Sequence, residues 1–474
     1  MNIFASRRVS GFGFLQLAIV ASFGGVPAFA AEWKVGVAAV SITPEEPIHL
    51  FGYPSRVTPF ESVAGDIYAK ALAIEDAEGN RGVIVTTDLV GLQDAFSGAI
   101  AKRIEERTGL TRRQLLLNAS HNHTGPLVSL EPITHGNLGH GDMTAEEAAR
   151  TVAYSRRLQD QIVELVVAAI ADLQPAELSW GVSRVGFVMN RRSGEAGAIH
   201  MAPNPGGAID ATVPVLKATT PDGTLRCLLF GCACHNTTLT PDHNVISGDY
   251  AGDAQAALQQ RYPGVQAMFL SGCGADANPE PRGGLDQSKS RGEELAAAVC
   301  KVVEGQGTGS ASSLAGPLRM AYEVVELPLM KLTPADLAKY AERGGVQAMM
   351  AEQMSRVFAG GGKLKERYAA PVAVWRFGDG LTLVALPGEG VADYAQLIGR
   401  RLRSRNVWVS SYNNDCFGYL PTAQVVREGG HEAIGVTVWL WGNHLAENVG
   451  FFSEEVEETI INAVARLADN LERK

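Results

Sequence analysis

Apolar and polar positions along this chain follow two periods, and segments of each are interspersed. Alternation with a period of two, or a short apolar run, predicts strands over Val35–Ile42, ended by Thr43-Pro44, and over Ile67–Ile74. Glu78-Gly79-Asn80 is a hairpin signal, so Gly82–Leu89 is expected to return antiparallel. Gln114–Ala119 reads as a short buried strand, Val213–Ala218 and Leu225–Ala233 as a second hairpin around Pro221-Asp222-Gly223, and Val265–Leu270 as a strand leading into a glycine-rich turn. Further strands are expected over Met320–Leu327, Val372–Phe377, Leu381–Leu386 and Val407–Tyr412.

The helical period appears over Ala95–Thr108, Thr144–Leu173, Tyr250–Arg261, Ser288–Glu304, Pro334–Phe358, Val391–Leu402 and Ser453–Leu471. Thr144, with Glu147 three residues on, has the form of a capping box. Interspersed strands and helices predict an α/β fold of mixed β-sheets flanked by helices. Gly305–Ser313 is small and polar, the best linker in the chain. The candidate ligands below lie on both sides of it, so residues 31–474 are expected to form a single large domain.

The start of the chain reads differently. Arg7 and Arg8 precede a largely apolar Gly11–Val26, and Ala28-Phe29-Ala30 is an A-x-A cleavage site. Residues 1–30 are therefore expected to be a signal peptide, with Ala31 opening a secreted or periplasmic protein. The apolar run is shorter than the ~20 residues of a membrane span, so no stable transmembrane anchor is expected.

Composition narrows the function classes. The 474 residues are 46% hydrophobic and 19% charged, ordinary globular values, and the formal net charge is −10. No basic stripe is available to neutralise phosphates, which argues against nucleic-acid partners. Export makes disulfides possible among Cys227, Cys232, Cys234, Cys273, Cys300 and Cys416; buried thiols and one or two bridges are both open.

Five segments carry chemistry. Asn118-Ala-Ser-His121-Asn-His123-Thr-Gly-Pro126 follows a buried strand, and on an extended chain His121 and His123 point the same way, either as metal ligands or as hydrogen-bonded loop histidines. His235 ends a second apolar strand. Glu389 follows Pro387-Gly388 where a helix begins, and reads first as a charge favoured by the helix dipole. Tyr419, in Gly-Tyr-Leu-Pro-Thr, reads as a packed loop aromatic. Asp276 and Asn278 lie in a glycine-rich turn that is either an anion nest or a turn held by local hydrogen bonds.

Taken in order, these motifs resemble the catalytic domain of the neutral/alkaline non-lysosomal ceramidase family. The matching stretches are His121-Asn-His-Thr-Gly-Pro126, His235-Asn-Thr-Thr, Pro387-Gly-Glu389 followed by Gly399-Arg-Arg-Leu-Arg403, Tyr419 in its Gly-Pro context, and the opening Gly36–Pro44. The resemblance implies one Zn2+ per chain held by His121, His235, Glu389 and Tyr419. His123, on the same face as His121, is expected to be the general base and proton donor, and Tyr419 to alternate between ligand and oxyanion donor. The implied reaction is hydrolysis of a lipid or small-molecule N-acyl amide such as ceramide by metal-activated water. Asn278 stands where the family has a serine implicated in catalysis, and an amide cannot act as that nucleophile. Gly430-His431-Glu432-Ala433 replaces a Tyr-Glu segment, and no C-terminal immunoglobulin-like domain is expected. Asp276, and less directly Asp88 and Asp249, are expected to orient ligands or Asn278. The alternatives keep the metal site but change the substrate to another amide, an ester or a glycan derivative, or make the protein a zinc-stabilised binding protein without turnover. An H-E-x-x-H peptidase motif is absent.

Overall fold

The structure is a computed structural model and describes residues 32–134, 141–308, 312–404, 406–437 and 449–472. The expected signal peptide lies outside the described residues. Residues 31–474 cluster as one compact unit.

Nearly continuous apolar runs form strands that, after the partly exposed first, are covered on both faces. These are β1 (Trp33–Ser41), β2 (Tyr68–Asp76), β3 (Arg81–Thr87) and β4 (Leu115–Ala119), and β4 is buried at every position. The predicted first hairpin is present as the antiparallel β2–β3 pair. Three strands that the sequence pattern did not reveal follow: β5 (Gln174–Arg184), β6 (Val188–Ser193) and β7 (His200–Asn204). β8 (Thr212–Thr219) and β9 (Leu225–Cys232) make the second hairpin, and β10 (Gln266–Ser271) precedes the short β11 (Ala277–Pro279). β12 is Ser312–Leu314. The main sheet runs β10-β9-β8-β5-β1-β2-β3-β4, with β12 also on β5. It is mixed: β9–β10 and β3–β4 are parallel. β12 ties part of the expected linker into this sheet.

A second mixed sheet orders as β13 (Leu318–Pro328), β14 (Arg367–Phe377), β15 (Leu381–Ala385) and β17 (Val407–Ser410). Between its last two strands lie β16 (Glu389–Gly390) and helix α7, defined below; β18 (Tyr419–Leu420) follows.

The helices are α1 (Asp94–Thr108), α2 (Ala145–Ala171), α3 (Asp249–Arg261), α4 (Leu285–Val303), α5 (Pro334–Glu342), α6 (Gly345–Ala359), α7 (Asp393–Leu402), α8 (Ala423–Glu428) and α9 (Glu455–Glu472). Thr144 caps α2 as expected, with Thr144 Oγ1 accepting from Glu147 N and Thr144 N donating to Glu147 Oε2. The single helix expected over Pro334–Phe358 is two, because Gly344 and Gly345 take φ of 72° and 59° and break the ladder.

The apolar clusters define four layers. α1 and α2 pack on one stretch of the main sheet, α3 and α4 on another. The opposite face of that sheet meets the second sheet through Trp33, Leu229, Met268, Trp375, Leu383 and Trp408. α7 and α9 cover the far side of the second sheet. All six cysteines are free thiols, five of them buried, so no bridge contributes.

Candidate metal centre

Strand ends from both sheets converge on one point. β4, β10 and β17 all finish there, and Asn118 at the end of β4 binds them together. Asn118 Nδ2 donates to Ser411 O at 2.8 Å and to Asn413 Oδ1 at 3.1 Å, while Asn118 Oδ1 accepts from Ser271 N at 3.2 Å. Ser410 Oγ donates to Ser271 O at 2.9 Å. A fully satisfied buried network of this kind rigidifies its surroundings. The loops that leave these ends carry the candidate residues.

His121 and His123 do come together, but not through strand alternation. β4 ends at Ala119 and His121 has φ 56°, so the chain turns there. The loop is tied to that of His235 by an Asn122–Asn236 bridge and by His123 N donating to Asn236 O at 3.4 Å. His235 N in turn donates to Ala277 O at 3.0 Å, fixing that loop to β11. Glu389 and Tyr419 are partners in the parallel β16–β18 pair, which sets them side by side. Gly388 has φ 62°, and a Cβ there would meet the Phe417 ring at 2.7 Å, so the turn before Glu389 requires glycine.

The ring nitrogens show why a cation fits. His121 Nδ1 faces Val90 O at 2.9 Å and His235 Nδ1 faces Gly274 O at 2.9 Å. A carbonyl can only accept, so each Nδ1 is the donor there, and in a neutral ring that places the lone pair on Nε2. Both lone pairs point at one oxygen: Glu389 Oε2 lies 3.0 Å from His121 Nε2 and 3.5 Å from His235 Nε2. Atoms bonded to a tetrahedral zinc at about 2.0–2.1 Å are separated by roughly 3.3 Å, so these spacings match a first shell. His235 Nε2 makes no hydrogen bond among the described residues. His123 Nε2 is 3.1 Å from His121 Nε2, and nitrogens of His121, His123 and His235 all lie within 4.8 Å of one another. Burial, then Arg191 and the other two histidines, hold His235 well below the usual imidazole range. Burial, then the proximity of His121, Arg56, Arg191 and Arg282, does the same for His123. Both are neutral at pH 7.

Arg191 on β6 joins the other polar groups. Its Nη2 donates to Tyr419 Oη at 3.0 Å, its Nη1 to Asn278 Oδ1 at 3.2 Å and its Nε to Glu432 Oε1 at 2.9 Å. Burial opposes its charge, but Tyr419 and Glu432 outweigh that and the guanidinium stays protonated. Tyr419 is pushed well above its usual range, by burial first and by Glu389 second. Thr237 Oγ1 also reaches Asn278 Oδ1, at 3.4 Å. The amide oxygen of Asn278 is thus occupied and its NH2 end is left for a further partner.

His121, His123, His235, Asn278, Glu389 and Tyr419 all line one cavity of about 630 Å³. Asp276 does not. It is buried beneath the site, accepting from Ala392 N at 2.8 Å and Asn190 Nδ2 at 3.3 Å. It therefore steadies the segment after Glu389 and the residue before Arg191, rather than Asn278 or a ligand imidazole. Asp88 and Asp249 are likewise absent from the lining. Asp88 accepts from Tyr68 N and Gln255 Nε2, and Asp249 from Leu239 N and Tyr250 N at the start of α3.

Comparison with known proteins gives the family and the fold. Residues 33–312, more than half of the chain, match the family model described as neutral/alkaline non-lysosomal ceramidase, N-terminal. The chain belongs to this family. Neutral ceramidase A of Dictyostelium discoideum is 23% identical over 283 residues, covering 53% of this chain and 37% of that protein. Neutral ceramidase of Drosophila pseudoobscura pseudoobscura is 23% identical over 350 residues, covering 71% of this chain and 47% of its own length. The matches thus span less than half the length of these curated relatives. The crystal structure of neutral ceramidase from Pseudomonas aeruginosa shares the fold with a TM-score of 0.70 at 18% identity, over 94% of this chain and 75% of that one.

The stretch matched to the ceramidase family model holds His121, His123, His235 and Asn278, whereas Glu389 and Tyr419 lie beyond it. Sequence reasoning missed Arg191, Glu432 and Tyr412. Tyr412 stacks on His121 with ring centroids 4.6 Å apart. The signal for Arg191 was the pair Arg191-Arg192 between apolar Val188-Met189 and a polar turn, which reads as a solvated edge until Glu432 is placed against it.

Proposed function

We propose that this ceramidase-family chain is an exported, zinc-dependent hydrolase of N-acyl amides, ceramide-like in its chemistry. The observation that carries the reading is the meeting of two imidazole lone pairs and one carboxylate oxygen at the floor of a cavity, with a third neutral imidazole beside them. His121, His235, Glu389 and Tyr419 would hold the ion. Zinc in that set would supply a Lewis acid for the scissile carbonyl and lower the pKa of a water from ~15.7 toward ~7.

The chain's own groups do the rest. His123, neutral and with Nδ1 making no hydrogen bond, takes a proton from the attacking water and returns it to the leaving amine. Arg191 and Tyr419 present N–H and O–H donors where charge develops on the carbonyl oxygen, and the Asn278 NH2 adds a third. Asn278 cannot form an acyl-enzyme, so water attacks directly. Residues 1–30 would direct export and be cleaved before Ala31, leaving 31–474 as the hydrolase domain. No helix among the described residues is long and apolar enough to cross a membrane.

The test is metal content together with hydrolysis of a fluorogenic N-acyl sphingosine, for the wild type and His121→Ala. One zinc per chain with turnover, both lost in the variant, is the expected result. Protein that neither retains nor takes up zinc overturns the reading. N-terminal sequencing of the exported protein checks that it starts at Ala31.

A further inference from the structure

The cavity contains a cation that no carboxylate among the described residues answers. Arg282 lines it and is half-buried. Among the described residues its guanidinium makes one hydrogen bond, Nη2 to Tyr53 Oη at 3.1 Å, and forms no ion pair. Tyr53 is held at its other side by donating to Leu239 O at 3.0 Å, and its ring stands edge-on to His123 with centroids 4.7 Å apart. Arg282 is thereby anchored one side chain away from the proposed general base. The other cations around the site are already answered. Arg191 is paired with Glu432. Arg56 donates to the carbonyls of His123, Pro241, Thr240 and His243. Of the five N–H donors of a guanidinium, Arg282 uses one. Glu280 shares the lining but lies beyond ion-pair distance of Arg282, so the two do not cancel.

The wall also carries an apolar set, Phe51, Pro54, Met189, Met201, Pro203 and Val346, beside polar Asn190, Thr237, Thr240 and His431. Met201 is 55% exposed, which places an apolar side chain at the rim. A wall of this kind suits an acyl chain, and an unanswered guanidinium beside the base suits a planar anion. We propose that the amide taken by this cavity carries a carboxylate on its amine half, as an N-acylated amino acid does, with Arg282 binding that carboxylate. This rests on the amide-hydrolase reading and narrows its substrate class. Hydrolysis of such a compound breaks the C–N bond, gives the acyl carbon the water's hydroxyl and passes the proton to nitrogen. The products are a fatty acid and an amino acid, whose new ammonium Glu280 can receive. A ceramide, with no charge on its amine half, leaves Arg282 unused.

The test compares N-dodecanoylglycine with the neutral N-dodecanoylglycinamide on the full zinc-loaded chain. The acid is expected to be preferred in kcat/KM by tenfold or more, a charge-assisted hydrogen bond at a partly buried site being worth about that much. The preference should reside in KM. In Arg282→Gln the ratio of the two substrates should fall toward one, and Arg282→Lys should restore part of it. A ratio near one in the wild type, or unchanged in Arg282→Gln, overturns the proposal. If neither amide turns over, the hydrolase reading fails, and calorimetry with the same two compounds still tests Arg282. Tighter binding of the acid that disappears in Arg282→Gln upholds the carboxylate site, and equal binding overturns it.

Discussion

Glu432→Gln is the sharpest test of how the site is held. Glu432 is 1% exposed and its two oxygens accept from Arg191 Nε at 2.9 Å and Arg192 Nη1 at 2.7 Å. Glutamine keeps the shape and one acceptor but removes the charge. Arg192 retains Glu428 at 3.0 Å and Gly429 O at 3.0 Å, so it is not stranded. Arg191 retains neutral partners in Tyr419, Asn278 and the glutamine, and of its nearby negative charges only Glu389, with which it makes no ion pair among the described residues, so it loses its paired carboxylate. Breaking one buried pair by removing a partner costs about 3–5 kcal/mol, and the retained hydrogen bond puts this change near the lower figure. With a urea m-value of about 3 kcal/mol/M or more for so large a chain, the unfolding midpoint should fall by up to about 1 M at unchanged m. Burial pushes the Glu432 carboxyl up, but the charges of Arg191, His431 and Arg192 together outweigh it and hold the carboxyl below its usual range. Its stabilisation is therefore present above the unfolded value of about 4.3 and lost as pH falls through the lower folded value. The wild type and the variant should converge at strongly acidic pH. The double variant Arg191→Met/Glu432→Gln, which removes the stranded cation, should be less destabilised than Glu432→Gln alone. An unchanged midpoint at pH 7, or a difference as large at pH 3 as at pH 7, would refute the reasoning.

Three further outcomes are expected. His123→Gln should keep the metal and lower kcat by about 10²–10⁴-fold, and elemental analysis showing metal loss would instead make His123 a ligand. Gly52→Ala should displace the His123 ring, since a Cβ would lie 2.5 Å from its Nδ1 at a φ of 109°; thermal unfolding should show a loss of more than about 1 kcal/mol with reduced turnover, and a wild-type profile would rule the contact out. Burial raises the Asp276 and Asp415 carboxyls to about 7, from an unfolded value near 3.9. Their contribution is full below about 3.9 and lost as pH rises through about 7, so the urea midpoint should drop between pH 5 and pH 8. Asp276→Asn should flatten that drop, by an amount on the order of 1–3 kcal/mol, and equal slopes in the two proteins would count against it.

What could be read from the sequence divides along physical lines. The strands that deliver His121 and His235 were visible because β4 and β9 are apolar but for Asn118 and Arg226, and both histidines stand just past their ends. The reason given for the His121–His123 pairing was incorrect in detail, because a positive φ at His121 replaces extended alternation. Glu389 and Tyr419 were not legible as ligands from spacing. What joins them is a two-residue parallel pair, and such a pair leaves no hydrophobic period. β5 was missed because it begins with Gln174-Pro175 and Glu177, Ser179, Gly181 and Ser183 interrupt its apolar positions; β6 was missed because Asn190-Arg191-Arg192 reads as solvated surface. Those arginines are buried, and their charge is answered by Glu432, far along the chain. A long-range ion pair has no local signature, so the polar half of the site escaped while the histidine half did not.

The same division explains why the site demands both sheets. His121, His235 and Asn278 come from the main sheet and its short neighbour; Glu389, Tyr419 and Glu432 come from the part of the chain after β13. Neither half contains the complete proposed ligand set. Four kinds of contact hold them together close to the site. Ala275 N donates to Gly390 O at 3.1 Å, Asp276 accepts from Ala392 N, Gly272 bridges Ser410, and Arg191 spans to Glu432 and Tyr419. Behind them the two sheets share one apolar layer around Trp375 and Trp408. The distance between the histidine nitrogens and the Glu389 oxygen is thus a property of the sheet-to-sheet packing and not of any loop. A truncation inside or after β12 would leave two imidazoles with no carboxylate and would expose the inner face of the main sheet. Metal binding and cooperative folding should therefore be lost together on such a cut, rather than one after the other.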